Sequence, residues 1–117
     1  MVRSVLRLVL ILALACCVLA CSNKNKTVGD FVVALRGAGI DGGFSPKLAS
    51  FIGATEGGIF ISKDDTVRVE IYRFPDPALA DSQAKSCSGG ARCFAKGYFE
   101  IMVFDGAQRV LPVWESF

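Results

Sequence analysis

Five cysteines are the residues of this chain best suited to chemistry, and they fall into two groups. Cys16, Cys17 and Cys21 crowd into "CCVLAC", and Cys87 and Cys93 bracket "SGGAR". Such thiols can ligate a metal, pair as disulfides or carry a modification. The spacing from Cys87 to Cys93 departs from the Cys-x-x-Cys of thioredoxin-like redox motifs. Other reactive side chains form no motif in its required context. The chain has no histidine, which removes the commonest general base and the commonest neutral metal ligand. Asp64-Asp65 falls short of a calcium loop and reads as a turn. No serine sits in a Gly-x-Ser-x-Gly elbow. "GAGIDG", residues 37–42, has the spacing of a dinucleotide-binding turn, but that turn must lie between a strand and a helix, and here it follows a helical pattern. No catalytic residue, cofactor site or metal site is predicted, and the chain is not expected to be an enzyme.

The surroundings of the first cysteine group explain it. "MVRSVLR" carries Arg3 and Arg7 and no acid, and residues 8–20 are then thirteen apolar residues in a row. A bilayer-spanning helix needs about 20 residues, so this run fits the hydrophobic core of an export signal. "VLAC", Val18 to Cys21, resembles the lipobox of bacterial lipoproteins, with Leu19 departing from the small residue usual at that position. The resemblance implies diacylglycerol on the Cys21 sulfur, cleavage before Cys21, and an acyl chain on the new amino group. Cys16 and Cys17 would leave with the signal. Ser22, a residue other than Asp after the lipidated cysteine, implies the outer membrane facing the periplasm in a Gram-negative host. In a Gram-positive host the anchor would lie in the outer leaflet of the only membrane.

On that reading Cys87 and Cys93 are the two cysteines left over. Exported chains fold where disulfides persist, so an even remainder predicts one structural bridge. Lys and Arg number 13, two of them in the first seven residues, which leaves 11 against 11 acids beyond the signal. Balanced charge gives no nucleic-acid footprint.

The elements follow from hydrophobic spacing. "SNKNK", residues 22–26, reads as a short polar tether. Thr27 and Asp30 have capping-box spacing, and Val28, Phe31, Val32 and Leu35 form a helical stripe that stops near Gly39. Residues 48–54 suggest a short strand, Glu56-Gly57-Gly58 a turn, and residues 59–62 a strand. Residues 66–74 alternate most clearly, with Val67, Val69 and Ile71 on a buried face and Thr66, Arg68, Glu70 and Tyr72 on a wet one. Asp76-Pro77 opens a surface helix supported by an Asp81–Lys85 pair. Phe99, Ile101 and Val103 alternate against Tyr98, Glu100 and Met102, and residues 107–117 favour a terminal helix despite Pro112.

These elements predict an α+β fold: an antiparallel sheet of three or four strands with helices on one face. The boundaries read as a signal over 1–20, Cys21 and tether over 21–26, and one domain over 27–117. "ALRGAG", "VEIYRFPDP" and "GYFEIMVFDG" also resemble stretches of small, functionally uncharacterised exported bacterial domains. They are packing and turn positions and imply no catalytic residues.

The expected function is that of an envelope lipoprotein held to the membrane through Cys21 and acting as a binding or accessory module for an envelope protein. The alternatives are a carrier of an apolar ligand or, less well supported, an exported hydrolase built on some of Asp41, Ser62, Lys63, Asp64 and Asp65. Trp114 and Phe117 are candidate partner contacts if exposed and core closure if not. Arg68, Glu70 and Tyr72 are the next candidates. Phe31, Phe51, Phe60, Phe74, Phe99 and Phe104 fall in core patterns.

Overall fold

A computed structural model describes residues 23–117. Cys16, Cys17, Cys21 and Ser22 lie outside the described residues, as does the segment 1–20 expected to be an export signal.

The fold is α+β. Helix α1 spans Val28–Gly37, β1 Gly42–Pro46, β2 Glu56–Ser62, β3 Arg68–Arg73, α2 Pro77–Lys85, β4 Arg92–Lys96, β5 Phe99–Asp105 and α3 Ala107–Ser116, with a 3-10 turn at Ser50–Ile52. The strands make one antiparallel sheet in the order β1-β2-β3-β5-β4. The sheet thus has five strands rather than three or four. The additions are β1 and β4, and the segment 48–54 is the 3-10 turn, not a strand.

Two of the three helix starts are capped by a side chain. Thr27 Oγ1 accepts from Asp30 N, and Thr27 N donates to Asp30 Oδ2, closing the capping box of α1. Asp76 accepts from Ala78 N at the start of α2, with Pro77 at the first helical position.

Gly57 and Gly58 belong to β2 and are not a turn. A Cβ on Gly57 would lie 2.2 Å from the Tyr72 ring, and one on Gly58 would lie 2.4 Å from the Phe44 ring. The two aromatic rings cover the strand from opposite sides where side chains are missing.

The first face of the sheet carries the main core. Val69, Ile71, Phe99 and Ile101 meet the α1 stripe of Phe31, Val32 and Leu35 together with Val110 and Trp114 of α3. Phe31 packs edge-on to Trp114 and Phe117, at 5.8 and 5.2 Å between ring centres, and Phe99 meets Phe117 at 5.1 Å.

The second face is covered as well. α2 lies over it by a single fully buried residue, Ala80, beside Tyr72, Phe74, Ala49 and Ala54. Helices therefore occupy both faces, and the wet face read from the alternation is dry in its centre.

Residues 23–26 are part of the fold rather than a tether. Asn23 is buried; its Nδ2 donates to Lys96 O and its Oδ1 accepts from Tyr98 N. Gly97 is required at that turn, with φ of +56° and no room for a Cβ beside Asn23. Arg73 donates to the carbonyls of Lys24 and Lys26, and Lys26 Nζ donates to Phe117 O.

Candidate functional site

The second face holds a small polar pocket. Along β3, Glu70 and Tyr72 point away from the main core. On β5, Met102 stands beside Glu70 and Glu100 beside Tyr72. One wall comes from Lys47 and the 3-10 turn with Phe51 and Ile52. The other comes from the C-terminal end of α2, with Gln83, Ser86 and Cys87. The pocket volume is about 290 Å³. The Cys87–Cys93 disulfide, with Cα atoms 5.8 Å apart, fastens this second wall to β4. The predicted bridge is thus present, and it bounds the pocket.

The electrostatics of the site are asymmetric. Glu70 is ion-paired with Lys47, and its Oε1 also accepts from the Tyr72 hydroxyl at 3.1 Å. Burial, reinforced by the Glu70 charge, pushes the Tyr72 hydroxyl up and keeps it a donor. Glu100 is 2% exposed. Burial first, and the Glu70 charge second, push its carboxyl up to about 7. No hydrogen bond to a described residue works against that shift. Two carboxyl groups in one pocket therefore differ: Glu70 has a lysine and a tyrosine hydroxyl as partners, and Glu100, with neither, is pushed up to about 7.

The sequence-predicted residues scatter. Glu70 and Tyr72 are brought together in this pocket. Arg68 is exposed outside it, with its guanidinium 5.3 Å from the centre of the Phe104 ring. Trp114 and Phe117 are each only 5% exposed and close the main core, so they offer no exposed anchor. Phe51 is the reverse case: assigned to the core by pattern, it is 78% exposed at the pocket rim.

Glu100 and Lys47 were not foreseen. Glu100 sits on the polar phase of β5, and only the packing of α2 and the 3-10 turn makes it buried. The available signal was a glutamate opposite Tyr72 in a strand rich in apolar residues, and it needed the strand pairing to be read.

The polar residues around the β2–β3 turn form a separate network. Asp64 accepts from the hydroxyls of Ser62 and Thr66 and from Thr66 N, and Arg109 approaches its other oxygen at 3.4 Å. These bonds, the one from Ser62 first, hold its carboxyl well below the usual range. Asp41 and Lys63 pair nearby at 2.8 Å. The network fixes a turn in which Asp65 takes a φ of 59°. None of its members lines the pocket.

"GAGIDG" connects the end of α1 to the start of β1, a helix-to-strand order opposite to that of a dinucleotide site. A shallow groove of about 660 Å³ runs between α1 and α3, past Ala34, Ala38, Pro112 and Val113. Among the described residues, no helix is long and apolar enough to cross a membrane, and no group of three or more His, Cys, Asp or Glu is placed to hold a metal ion.

Compared with family models, curated proteins and solved structures, the chain gives no match.

Proposed function

We propose that the chain is a lipid-anchored lipoprotein of the bacterial cell envelope whose folded part is a binding module, and that it recognises an envelope protein through the second-face pocket. The observation that carries this reading is the buried Glu100 carboxyl in a pocket whose rim presents the exposed ring of Phe51. A dry polar group beside an exposed apolar one is the arrangement of a recognition site, where the apolar contact gives affinity and the polar group gives selectivity.

The anchor rests on the pattern from Arg3 to Cys21. The Cys87–Cys93 bridge suits an oxidising compartment. With Asn23 fixed to the β4–β5 turn, the two residues from Cys21 to the fold could reach at most about 7 Å. The module would stand directly on the membrane, facing the periplasm if the host is Gram-negative. The near-balanced charge suits a protein partner and not a nucleic acid.

The anchor is tested by Cys21→Ser with labelled-lipid incorporation and membrane fractionation; unchanged labelling and retention would contradict it. The recognition site is tested by in-cell photo-crosslinking from position 51, with position 33 on the exposed side of α1 as control. Capture of one protein from 51 and not from 33 is expected, and equal capture from both would contradict it.

The α1–α3 groove favours a second reading, a carrier of an apolar ligand, because its walls are mostly apolar. An exported hydrolase has less support, since Ser62, Lys63 and Asp64 line neither the pocket nor this groove.

A further inference from the structure

The Glu100 carboxyl is placed where an ionised group is costly, and no described residue supplies its counter-charge. Buried carboxylates are ordinarily paired, because the loss of water must be offset by another charge or by hydrogen-bond donors. Among the described residues, no buried side-chain oxygen or nitrogen is sealed off without a partner. The carboxyl oxygens of Glu100 therefore keep a small opening, and the opening is into the pocket that Glu100 lines. A ligand entering there would meet a buried carboxyl that no described residue pairs.

The chain supplies an example of what pairs with its neighbour. The Lys47 ammonium reaches Glu70 from the pocket mouth, its side chain half exposed while that of Glu70 is 9% exposed. The Lys47–Glu70 pair cancels internally. What is left when Glu100 ionises is a single negative charge, which one monovalent cation neutralises. A bare divalent metal is the poorer fit, since such ions take six or more oxygens and no described cluster offers three suitable ligands. The apolar walls at Ile52 and Met102 suit a short carbon stem, and the exposed Phe51 ring can lie against a cation at the rim.

We propose that the second-face pocket is a seat for a primary ammonium group on a short aliphatic stem, held by the Glu100 carboxylate, with Lys47 the internal cation that competes for the pocket's negative charge. The inference deepens the binding-module reading and rests on it. The ammonium is supplied either by a lysine side chain of the protein partner or by a free small amine.

The test is calorimetric titration of the full chain, in a nonionic detergent at pH 8, with butylammonium, Nα-acetyl-lysine amide and butanol. The two ammonium probes should bind and butanol should not. Glu100→Gln, with its folded circular-dichroism spectrum checked, should weaken ammonium binding by roughly thirtyfold or more. Lys47→Met removes the internal competitor and should tighten it. Repeated at pH 6 in buffers of different ionisation enthalpy, binding should release a proton, which a purely structural glutamate would not do. Tighter binding of the lysine amide assigns the partner's lysine as the source, and tighter binding of butylammonium assigns a free amine.

Butanol binding as well as butylammonium, or folded Glu100→Gln binding ammonium unchanged, would overturn the proposal. So would failure of both ammonium probes, even if crosslinking from position 51 captures a protein and the module reading stands. Ammonium binding without any protein capture would keep the seat and overturn the protein-partner reading.

Discussion

The two faces of the sheet are built on opposite principles. The first is an aromatic and aliphatic core in which Phe31, Trp114, Phe117 and Phe99 interlock, with Lys26 and Arg73 meeting the Phe117 and Phe99 rings at its edge. The second is covered by a helix that commits one alanine to the interior and by a 3-10 turn, and it buries two glutamates. The first face has the means to stabilise the fold, since large apolar residues lose most of their contact with water there. The second holds groups that cost stability in the folded state. The difference teaches where function is to be sought: buried polarity that weakens a small domain calls for a role beyond folding.

The comparison breaks most readily at the first face. Phe31→Ala removes a ring that is fully buried among Trp114, Phe117 and the strand residues. It should cost about 3–5 kcal/mol in urea denaturation. A loss as small as that of a surface substitution would show that the first face is not the main core.

Glu100→Gln should act in the opposite direction. The native carboxyl, held up to about 7, keeps a proton that the unfolded chain, with its ordinary value of 4.5, has already released. A raised native value gives a contribution that is fully present below the unfolded value and is lost as pH rises through the native one. Wild-type stability should therefore fall between about pH 5 and pH 8 by up to roughly 3 kcal/mol. The charged and titratable groups facing Glu100 in the pocket are Glu70, Tyr72 and Lys47. With burial and the Glu70 charge holding the Glu100 carboxyl up, Glu100→Gln should flatten the profile and stabilise the protein at pH 8. A wild-type profile as flat as that of the variant would make the second face as wet as an ordinary surface.

Cys87→Ser sharpens the contrast. Closing a short loop in the unfolded chain accounts for about 2 kcal/mol. The loss should come with altered NMR shifts at Gln83 and Ser86 in the pocket wall and unchanged Trp114 fluorescence on the other face. Disturbance of Trp114 would mean that the faces are not independent. The smallest effect is expected from Arg68→Ala, within about 0.5 kcal/mol, since Arg68 is exposed outside the pocket. Crosslinking from position 51 should not change in that variant.

The first face was legible in the sequence because its signals are local. Val28, Phe31, Val32 and Leu35 repeat at helical spacing, and Val67, Val69, Ile71 and Phe99, Ile101, Val103 alternate. Caps at Thr27 and Asp76 marked two helix starts, and α3 formed where the pattern favoured it. The second face was not legible, because its cover comes from segments whose own composition is barely apolar. "GGFSP" carries two glycines and a proline and reads as loop, yet it pairs as the edge strand β1, whose Gly42 leaves no space for a Cβ against Ile61 O. Gly57 and Gly58 looked like a turn because the rings that cover them, Tyr72 and Phe44, come from other strands. Glu70 and Tyr72 were placed on the right side of β3, but their burial depended on long-range packing, and so did the pairing that makes Glu100 their neighbour.

The most direct test of this division is the titration of the Glu100 carboxyl followed by carbon-detected NMR, assigned by loss of the signal in Glu100→Gln. A midpoint near 7 is predicted, with the Tyr72 ring and Met102 methyl signals moving in step. A midpoint near the ordinary 4.5 would mean that the carboxyl is hydrated or already paired, and would contradict the account of the second face as a site waiting for a cation.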